Sequence, residues 1–509
     1  MKNFKIVLVN PPYNPPIGQS VTVGQPLGIA YLAQALRNNN FQVEILDAVL
    51  ENLSKEKVKD RLLEIKANMI GISVCQGAVS FLSYIVDEMK SERPDSYIAI
   101  GGTTPTLVYD RIYKEIPLID CIMLGEGEET ICELAQCIKD GEDWRKVDGI
   151  VYCENGQLIQ TPLRPICNDI DEIAQPSDDY YPIAISKWGI DEMGIMSSRG
   201  CYGNCKFCTM PNYYKMIKAK KRRTRRPEKV LDEILETREK WNVQIVDLHD
   251  DNFFGPGENG MTFAEDFVNE IKRRGVEIQF KIFARINDLN RELFQKLKDA
   301  GMVSVFIGVE SINERALKFY NKGIHESQIE QGLAMLDELD QDYVMGYILF
   351  DPYVTFEEIK KSIGFLKKVL YRPNNKTMVI NEYINVTLGS GLEQELRDDN
   401  LLFRDDIYID YSVNYKFKNP DVQIMSDIFY KLWIEEIIPA IKYSWVSVQL
   451  SKECTVFKLD IIMQIITMIE SGTLESGYKK FYENEFTPKL KKLSDRLFEA
   501  YIHKLRESI

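Results

Sequence analysis

The N-terminal part of the chain alternates short apolar runs with longer amphipathic segments. The apolar runs predict strands over 4–9, 41–46, 69–74, 97–100 and 119–124. The intervening segments predict helices over 28–36, 54–67 and 81–90, and another that ends at Lys139. Short apolar strands that alternate with amphipathic helices are typical of a doubly wound parallel sheet. Such a sheet binds its ligands beyond the carboxyl ends of its strands.

A second series of strands and helices begins near Met193. The strands are predicted over 195–198, 243–248, 278–283, 303–307, 344–350 and 379–386. Charged helices are predicted over 227–241, 262–274, 290–300, 313–320, 326–339 and 355–370. Six such units in about 200 residues favour a partial (β/α)6 barrel, whose site lies at the strand carboxyl ends.

The remaining segments complete the predicted α/β architecture. Residues 148–161 alternate around Asn155-Gly156, which predicts a hairpin, and 168–182 is polar enough for a linker. Beyond Leu401 the pattern is helical over 425–443, 458–470 and 474–509. The aromatic residues there are expected in the core, namely Phe429, Tyr430, Trp433 and Trp445. We therefore expect a sheet domain (1–140), a hairpin and linker (141–185), a barrel domain (186–400) and a helical domain (401–509).

The composition is that of an ordinary globular protein, with 45 % hydrophobic and 28 % charged residues. A formal net charge of −14 argues against a non-specific nucleic-acid binder. The exception is the basic run 215–226, where eight of twelve residues are Lys or Arg. This run indicates either a phosphate or nucleic-acid patch or a solvated loop edge, and the loop edge is favoured.

No apolar segment is long enough to span a bilayer, and the run 6–9 is too short for the core of a signal peptide. Ten cysteines without a secretory signal indicate a reducing, cytoplasmic location. We therefore expect neither a membrane nor a nucleic acid as a partner.

Three cysteines, Cys201, Cys205 and Cys208, have a C-x3-C-x2-C spacing. Three thiolates without a fourth ligand nearby suit an iron–sulfur cluster with one open iron. A structural zinc ion would need a fourth ligand, and the first histidine of the chain is His249. Zinc and buried free thiols remain the alternatives.

The cysteine motif, with Phe207 before its third thiol, resembles that of the radical S-adenosylmethionine (SAM) superfamily. The resemblance implies a [4Fe–4S] cluster on the three cysteines, with SAM bound to the open iron. An electron from the cluster would then cleave SAM to a 5′-deoxyadenosyl radical. It also implies an external electron donor of the flavodoxin or ferredoxin type.

Further segments at predicted barrel-strand ends resemble SAM-binding positions of this superfamily. Asp250-Asp251-Asn252-Phe253-Phe254 matches a segment near the SAM amino group, which implies contacts from Asp251 and Asn252; a capping turn is the alternative. Arg285 suits the SAM carboxylate or could pair with Glu310. Glu310, in Gly308-Val-Glu-Ser311, could hold ribose hydroxyls or fix Arg285, and the resemblance includes Ser311 among the cofactor-binding residues. The segment 350–355 departs from the family's G-x-P-G-E-T turn.

The first part of the chain resembles the cobalamin-binding domain found before many radical SAM domains. The implied cofactor-binding residues are Asn10, Pro11, Pro12, Tyr13, Ser73, Gln76, Gly101, Gly102, Gly125, Glu126, Gly127 and Glu128. The D-x-H-x-x-G loop of histidine-ligated relatives is missing, so we expect cobalamin without a histidine lower ligand. Gln76 and Tyr13 are long enough to approach the cobalt. A domain that kept the fold and lost the cofactor is the alternative.

These resemblances imply a cobalamin-dependent radical SAM enzyme. Its expected reaction is methylation of an unactivated carbon in a natural product, a peptide or another small substrate. A rearrangement, cyclisation or ring contraction without methyl transfer is the second possibility. An iron–sulfur or cobalamin-binding regulator is a third, in which the SAM-binding segments would have no purpose. A methylthiotransferase is disfavoured, because Cys75, Cys121 and Cys132 are too scattered to form a second cysteine triplet.

Overall fold

The structure is a computed structural model that describes residues 4–15, 23–403, 407 and 414–507. Pro16, in the loop after the first predicted strand, lies outside the described residues, as do the last two residues of the final predicted helix.

The sheet of the first domain has the order β2-β1-β3-β4-β5-β6-β7. Its strands within the described residues are β1 Lys5–Asn10, β2 Gln42–Asp47, β3 Met69–Ser73, β4 Tyr97–Gly101, β5 Cys121–Met123, β6 Ile150–Glu154 and β7 Gln157–Gln160. Strands β1 to β5 are parallel, and the hairpin β6–β7 continues the sheet antiparallel to β5. Asn155 and Gly156 both have positive φ, at 52° and 77°, as a type I′ hairpin turn requires.

Helices cover both faces of this sheet. They are α1 Leu27–Asn38, α2 Lys55–Ile65, α3 Val79–Glu92, α4 Thr103–Glu115 and α5 Glu128–Asp140. Val7 and Val9 point into one apolar core and Ile6 and Leu8 into the other, which explains why the strands are apolar throughout. The sequence pattern missed α4, because its first turn is rich in threonine and Val108 interrupts it with φ −134°.

The second sheet has the order β15-β14-β13-β12-β11-β8, and all its pairs are parallel. Its strands are β8 Glu192–Ile195, β11 Ile245–Leu248, β12 Gln279–Arg285, β13 Met302–Glu310, β14 Tyr343–Phe350 and β15 Asn375–Tyr383; β9 Ser198–Arg199 and β10 Arg223–Thr224 form a separate antiparallel pair. The helices of this part are α6 Tyr180–Trp188, α7 Met210–Met216, α8 Pro227–Trp241, α9 Thr262–Arg274, α10 Arg291–Asp299, α11 Glu314–Phe319, α12 Glu326–Glu338, α13 Phe356–Leu370 and α14 Gly391–Asp398. This is the expected partial (β/α)6 barrel.

The strand predicted over 195–198 is wrong in its position. Strand β8 ends at Ile195, and Ser198 pairs with the distant β10 instead. The buried carboxylate of Asp250 accepts hydrogen bonds from the backbone N–H groups of Ser197 (2.9 Å) and Ser198 (2.7 Å). These bonds turn the chain out of the sheet just before the first cysteine of the triplet.

The C-terminal part is helical, as predicted. It contains α15 Pro420–Leu432, α16 Ile438–Ala440, α17 Val448–Glu470, α18 Leu474–Phe481 and α19 Thr487–Glu507, with π-helical turns at Trp433–Ile437 and Tyr482–Phe486. Its buried side chains share one apolar core with the barrel. Phe429 and Trp433 stack in that core, whereas Trp445 is 62 % exposed, so its predicted burial is wrong. No helix among the described residues combines the length and apolarity needed to cross a bilayer.

Candidate active site

The three thiols lie on a segment between β9 and β10, which we call the cluster loop (residues 200–222). Cys205 is buried, whereas Cys201 and Cys208 are half-buried. Burial raises the pKa of the Cys201 thiol and raises the pKa of Cys208 to about 12. Thiols in such surroundings lose their protons when a metal binds, because the cationic charge stabilises the thiolate.

A single metal ion needs its ligands to converge on one point. No group of three His, Cys, Asp or Glu side chains in the described parts of the chain does so. In a four-iron cluster each thiolate binds a different iron, so the three sulfur atoms surround the cluster and not a single ion. The C-x3-C-x2-C spacing, with no fourth ligand beside it in the sequence, is what favours a cluster over a zinc ion.

Two adjacent carboxylates after β11 have different surroundings. Asp250 is buried and holds the turn at Ser197 and Ser198. Asp251 instead opens into a cavity between the sheet domain and the barrel. Burial and the neighbouring charge of Asp250 raise the pKa of Asp251 to about 6. Asp251 is therefore the carboxylate available to an ammonium group.

Asn252 is buried and supports the barrel rather than the cavity. Its Nδ2 donates to the carbonyl of Phe254 (2.8 Å) and to a carboxylate oxygen of Asp288 (2.9 Å). These two bonds use both hydrogens of the amide. The same Asp288 oxygen accepts the backbone N–H of Arg285 at 3.2 Å. Asn252 thus links the end of β11 to the end of β12, and its predicted contact with a cofactor stays a prediction.

The suggested pairing of Arg285 with Glu310 is wrong. Arg285 donates from Nη1 to Sγ of Cys205 at 3.2 Å and from Nη2 to the carbonyl of Lys322. Glu310 is bound instead by Nζ of Lys322 at 2.9 Å. The guanidinium group therefore lies beside the thiol triplet, where it could also meet the carboxylate of SAM.

Ser311 and Phe207 both lie away from the cavity lining. The Ser311 hydroxyl accepts the backbone N–H of Asn313 at 3.2 Å, which begins α11. Phe207 packs edge-on against Tyr320, with ring centroids 5.7 Å apart, and so holds the cluster loop on the barrel. These two contacts therefore hold the cluster loop and the start of α11 in place from outside the cavity.

The cavity between the two domains has a volume of about 310 Å³. From the sheet domain it is lined by the predicted residues Ser73, Gly101, Gly102, Gly125, Glu126, Gly127 and Glu128. From the barrel side it is lined by Ser198, Arg199, Gly200, Met210, Tyr213, Tyr214, His249 and Asp251. The carboxyl ends of both parallel sheets therefore supply groups to one cavity.

Glycines create part of this space. A Cβ atom on Gly71 would approach Cδ2 of Leu8 to 2.7 Å, in an apolar arm of the cavity between α1 and α5. Gly102 has φ +114°, and a Cβ there would lie 3.0 Å from the carbonyl of Val74. Larger residues would narrow the cavity and strain its wall.

Five other predicted cobalamin-binding residues, all of them described, are not among the lining residues. They are Asn10, Pro11, Pro12, Tyr13 and Gln76. Gln76 is buried, donates to the carbonyl of Val386 (3.0 Å) and accepts the N–H of Leu388 (2.7 Å). Its predicted approach to cobalt stays a prediction; Gln76 tethers the sheet domain to the chain after β15.

The carboxylates of Glu126 and Glu128 face arginines from the two ends of the cluster loop. Arg199 lies 3.3 Å from Glu126 and 2.6 Å from Glu128, and Arg223 also pairs with Glu126. The Arg223 side chain is only 2 % exposed. We call these four residues the interdomain ion-pair network. Sequence reasoning missed both arginines, although Arg199 directly precedes Gly200 of the cysteine motif.

The basic run is only in part a solvated edge. Arg222 donates to the carbonyl of Phe253 (2.6 Å) and Arg225 pairs with Glu233 (2.6 Å), so these side chains point inward with Arg223. The lysines of the run are exposed. The favoured interpretation therefore holds for the lysines and is wrong for these arginines.

His249 is a further residue that the sequence analysis did not assign to the site. It faces the cavity, and its Nε2 lies 3.0 Å from a carboxylate oxygen of Asp247. The hydrogen bond to Asp247 raises the pKa of His249. The sequence could have indicated His249 as a site residue, because it directly precedes Asp250 and Asp251 at the end of a barrel strand.

Two family models match the chain. The B12-binding domain model covers residues 15–135, and the radical SAM superfamily model covers residues 195–366. The chain belongs to the radical SAM superfamily and carries a B12-binding domain. This radical SAM enzyme therefore has the two domain types and the fold class that its sequence motifs predict.

Curated relatives of this radical SAM enzyme have different activities. It is 29 % identical over 371 residues to an uncharacterised methyltransferase of Pyrococcus horikoshii, an alignment that covers 72 % of this chain and 79 % of the relative. It is 27 % identical over 345 residues to the anaerobic magnesium-protoporphyrin IX monomethyl ester cyclase of Rubrivivax gelatinosus, covering 64 % of this chain and 59 % of the relative.

A solved structure shares the fold of this radical SAM enzyme. It is the cobalamin-dependent SAM radical enzyme OxsB with aqua-cobalamin and SAM bound. The TM-score is 0.72 at 20 % identity, and the match covers 98 % of this chain and 84 % of OxsB. At this identity the similarity concerns the fold alone.

The described residues fit the cofactors that the two domain types imply. Glycines leave a cradle at the carboxyl ends of the first sheet, which suits cobalamin, and the cluster loop presents three thiols to an iron–sulfur cluster. Asp251 lines the same cavity, where its carboxylate would suit the amino group of SAM. The predicted cofactor set of cobalamin, SAM and a [4Fe–4S] cluster is therefore that of the two domains.

Proposed function

We propose that this enzyme methylates an unactivated carbon of a natural product, a peptide or another small substrate. One observation carries the proposal: the glycine-rich turns of the B12-binding domain and Asp251 of the radical SAM domain line the same cavity. When bound, SAM and the cluster supply a hydrogen-abstracting radical, and cobalamin supplies the methyl group. The similarity to a methyltransferase over 72 % of the chain supports methyl transfer as the outcome.

In this proposal the chain's own residues bind and orient. Cys201, Cys205 and Cys208 hold the cluster, and Arg285, within 3.2 Å of Cys205, is placed to bind the SAM carboxylate. Asp251 binds the SAM ammonium group. The ion pair of Lys322 with Glu310 (2.9 Å) positions the latter's carboxylate for the ribose. Two reactive groups held in one cavity would need little further ordering to react.

The test is anaerobic reconstitution with iron, sulfide, cobalamin and SAM, followed by mass spectrometry of the co-products. Candidate substrates come from the chemistry encoded by neighbouring genes. Methylation predicts S-adenosylhomocysteine and 5′-deoxyadenosine in equal amounts, with a product heavier by one methylene unit. With SAM that carries a deuterated methyl group, the label must appear in the product. The Cys205→Ala variant is the control and should form no 5′-deoxyadenosine.

A rearrangement, cyclisation or ring contraction is the second candidate. The similarity to the Rubrivivax gelatinosus cyclase over 64 % of the chain supports this second candidate. The same assay separates the two reactions. A reaction of this second kind gives 5′-deoxyadenosine without S-adenosylhomocysteine, and no deuterium from the methyl group enters the product.

We also propose that a flavodoxin or ferredoxin supplies the electron and that the enzyme works in a reducing cytoplasm. All ten cysteines are free thiols, which suits such a compartment. Reconstitution under air should lose the cluster's absorbance, whereas reconstitution without oxygen should keep it.

A further inference from the structure

The lysines of the basic run form an exposed surface on the cluster loop. Lys215, Lys218, Lys220 and Lys221 are all exposed, whereas Arg222 and Arg223 turn inward. We call these four lysines the lysine surface. The chain as a whole has a formal net charge of −14, so the lysine surface has the opposite sign of charge to the molecule as a whole.

One member of the lysine surface, Lys221, contacts the loop between two thiols of the triplet. Nζ of Lys221 donates to the side-chain oxygen of Asn204 at 2.7 Å. Asn204 is exposed and lies between Cys201 and Cys205 in the chain. Its carbonyl accepts Nδ2 of Asn321 at 2.9 Å. The segment between Cys201 and Cys205 therefore reaches the protein surface beside Lys221, and the other three lysines belong to the same cluster loop.

We propose that the lysine surface is the docking site of an acidic electron-donor protein of the flavodoxin or ferredoxin class. The inference rests on the proposed function, because reductive cleavage of SAM consumes one electron. The donor is oxidised by one electron and the cluster is reduced by it. That electron passes to the sulfonium of SAM, whose C5′–S bond breaks to give methionine and the 5′-deoxyadenosyl radical.

The chemistry of the surface favours an acidic protein over a nucleic acid. Arginine forks bind phosphates in a bidentate manner, but the arginines Arg222, Arg223 and Arg225 are used inside the protein. Lysines are hydrated point charges, which suit brief encounters steered by charge. Redox partners form small interfaces of this transient kind.

The first experiment measures the binding of an oxidised acidic flavodoxin to the reconstituted holoenzyme by isothermal titration calorimetry. The test variant is Lys215→Glu/Lys218→Glu/Lys220→Glu, which leaves Lys221 and its contact with Asn204 intact. The control is Lys489→Glu/Lys491→Glu/Lys492→Glu, three exposed lysines on α19. At low ionic strength the dissociation constant should rise about tenfold or more in the test variant alone. The difference should shrink as salt is added.

The second experiment compares two sources of electrons for SAM cleavage. Dithionite needs no docking, so dithionite-driven cleavage should be equal in the wild type and the test variant. Flavodoxin-driven cleavage should fall in the test variant, through a higher KM for flavodoxin. This comparison separates the two proposals, because a wild type that does not cleave SAM with dithionite contradicts the proposed function rather than the docking site.

Three results would overturn the docking proposal. The first is an unchanged flavodoxin affinity in the test variant. The second is an equal loss of dithionite-driven and flavodoxin-driven cleavage, which would show that the substitutions impair the cluster and not the docking of the donor. The third is a test variant that loses the binding of a single-stranded RNA and keeps that of flavodoxin, which would make the surface a nucleic-acid site.

Discussion

The thiol of Cys205 is the most enclosed of the triplet, and it contacts Arg285 at 3.2 Å. Neither a methyl nor a hydroxyl group can replace a thiolate on iron, so Cys205→Ala should lose the cluster's absorbance and all SAM cleavage. Cys153→Ala, at an exposed thiol of the hairpin, is the control and should keep both. If a triple Ala variant of the three cysteines still bound about four irons per chain, the assignment would be wrong.

Asp251 should make SAM binding depend on pH. Its pKa is raised to about 6, so its carboxylate is protonated as the pH falls from 7.5 through 6, and the SAM ammonium group loses its partner. Asp251→Ala should weaken SAM binding about ten- to a hundredfold at pH 7.5. Asp251→Asn should also flatten the pH profile of the dissociation constant, whereas the surface change Asp398→Asn should not.

The same pKa has a consequence for stability. A raised carboxyl pKa means that the folded chain binds the proton more tightly than the unfolded chain does. The ionised carboxylate therefore destabilises the fold above pH 6, and protonation relieves this destabilisation below pH 6.

Arg285→Ala is a less specific test of SAM binding, because Arg285 also contacts Cys205 and the carbonyl of Lys322.

His249 bears on how bound cobalamin is ligated. The matched B12-binding domain, residues 15–135, contains no histidine, and His249 lies on the opposite wall of the cavity, where Asp247 contacts Nε2, one of its two ring nitrogens. We therefore expect cobalamin without a nitrogen ligand. Electron paramagnetic resonance of the cob(II)alamin form should show no nitrogen superhyperfine splitting. A splitting that disappears in His249→Ala would identify His249 as the ligand and contradict this expectation.

At the scale of elements, the interdomain ion-pair network holds the turn before α5 against β9 and β10. The side chains of Arg223 and Glu126 are only 2 % and 13 % exposed, so Glu126→Gln leaves a buried guanidinium without a full counter-charge. Breaking a buried pair of this kind costs about 3–5 kcal/mol. Thermal unfolding should begin several degrees lower than in the wild type.

The matched control for this network is Glu129→Gln. Glu129 lies in the first turn of α5, three residues after Glu126, but it is 70 % exposed and pairs with Arg164 at 3.5 Å. Exposed pairs contribute about 0–1 kcal/mol, so its melting temperature should hardly change. Equal effects of the two substitutions would show that the network does not join the domains.

At the scale of the whole molecule, the sheet domain contacts the chain that follows β15, the last strand of the barrel. Gln76 binds Val386 and Leu388, and Arg111 pairs with Glu393 at 2.6 Å. The cavity lies between these tethers and the ion-pair network. A ligand in the cavity should therefore stabilise both domains together.

This arrangement predicts the effect of cobalamin on unfolding. A ligand that binds only the folded chain adds about 2.7 kcal/mol of stability at a hundred times its dissociation constant. Calorimetry of the anaerobic protein with hydroxocobalamin should show a single transition that moves to higher temperature. A shift confined to one of two separate transitions would contradict coupled domains.

Much of the secondary structure followed from local patterns. The predicted helices over 227–241 and 262–274 agree with Pro227–Trp241 and Thr262–Arg274, because each has one continuous apolar face. The strands of the first sheet lie close to their predicted positions because they are buried on both faces. The pattern missed the short helix α7, with only Tyr214 buried, because one turn or two leave too little periodicity.

The sequence by itself determined the two α/β domains, the thiol triplet and the glycine-rich turns, since periodicity and spacing are properties of neighbouring residues. Only the tertiary structure decided which charges meet. Glu126 and Arg223 are 97 residues apart, and Arg285 and Cys205 are 80 apart. The sequence offers several possible partners to each arginine, and the packing of whole elements selects one by bringing it within reach. For the same reason, Gln76 binds the chain after β15, and His249 lines the same cavity as the glycine-rich turns.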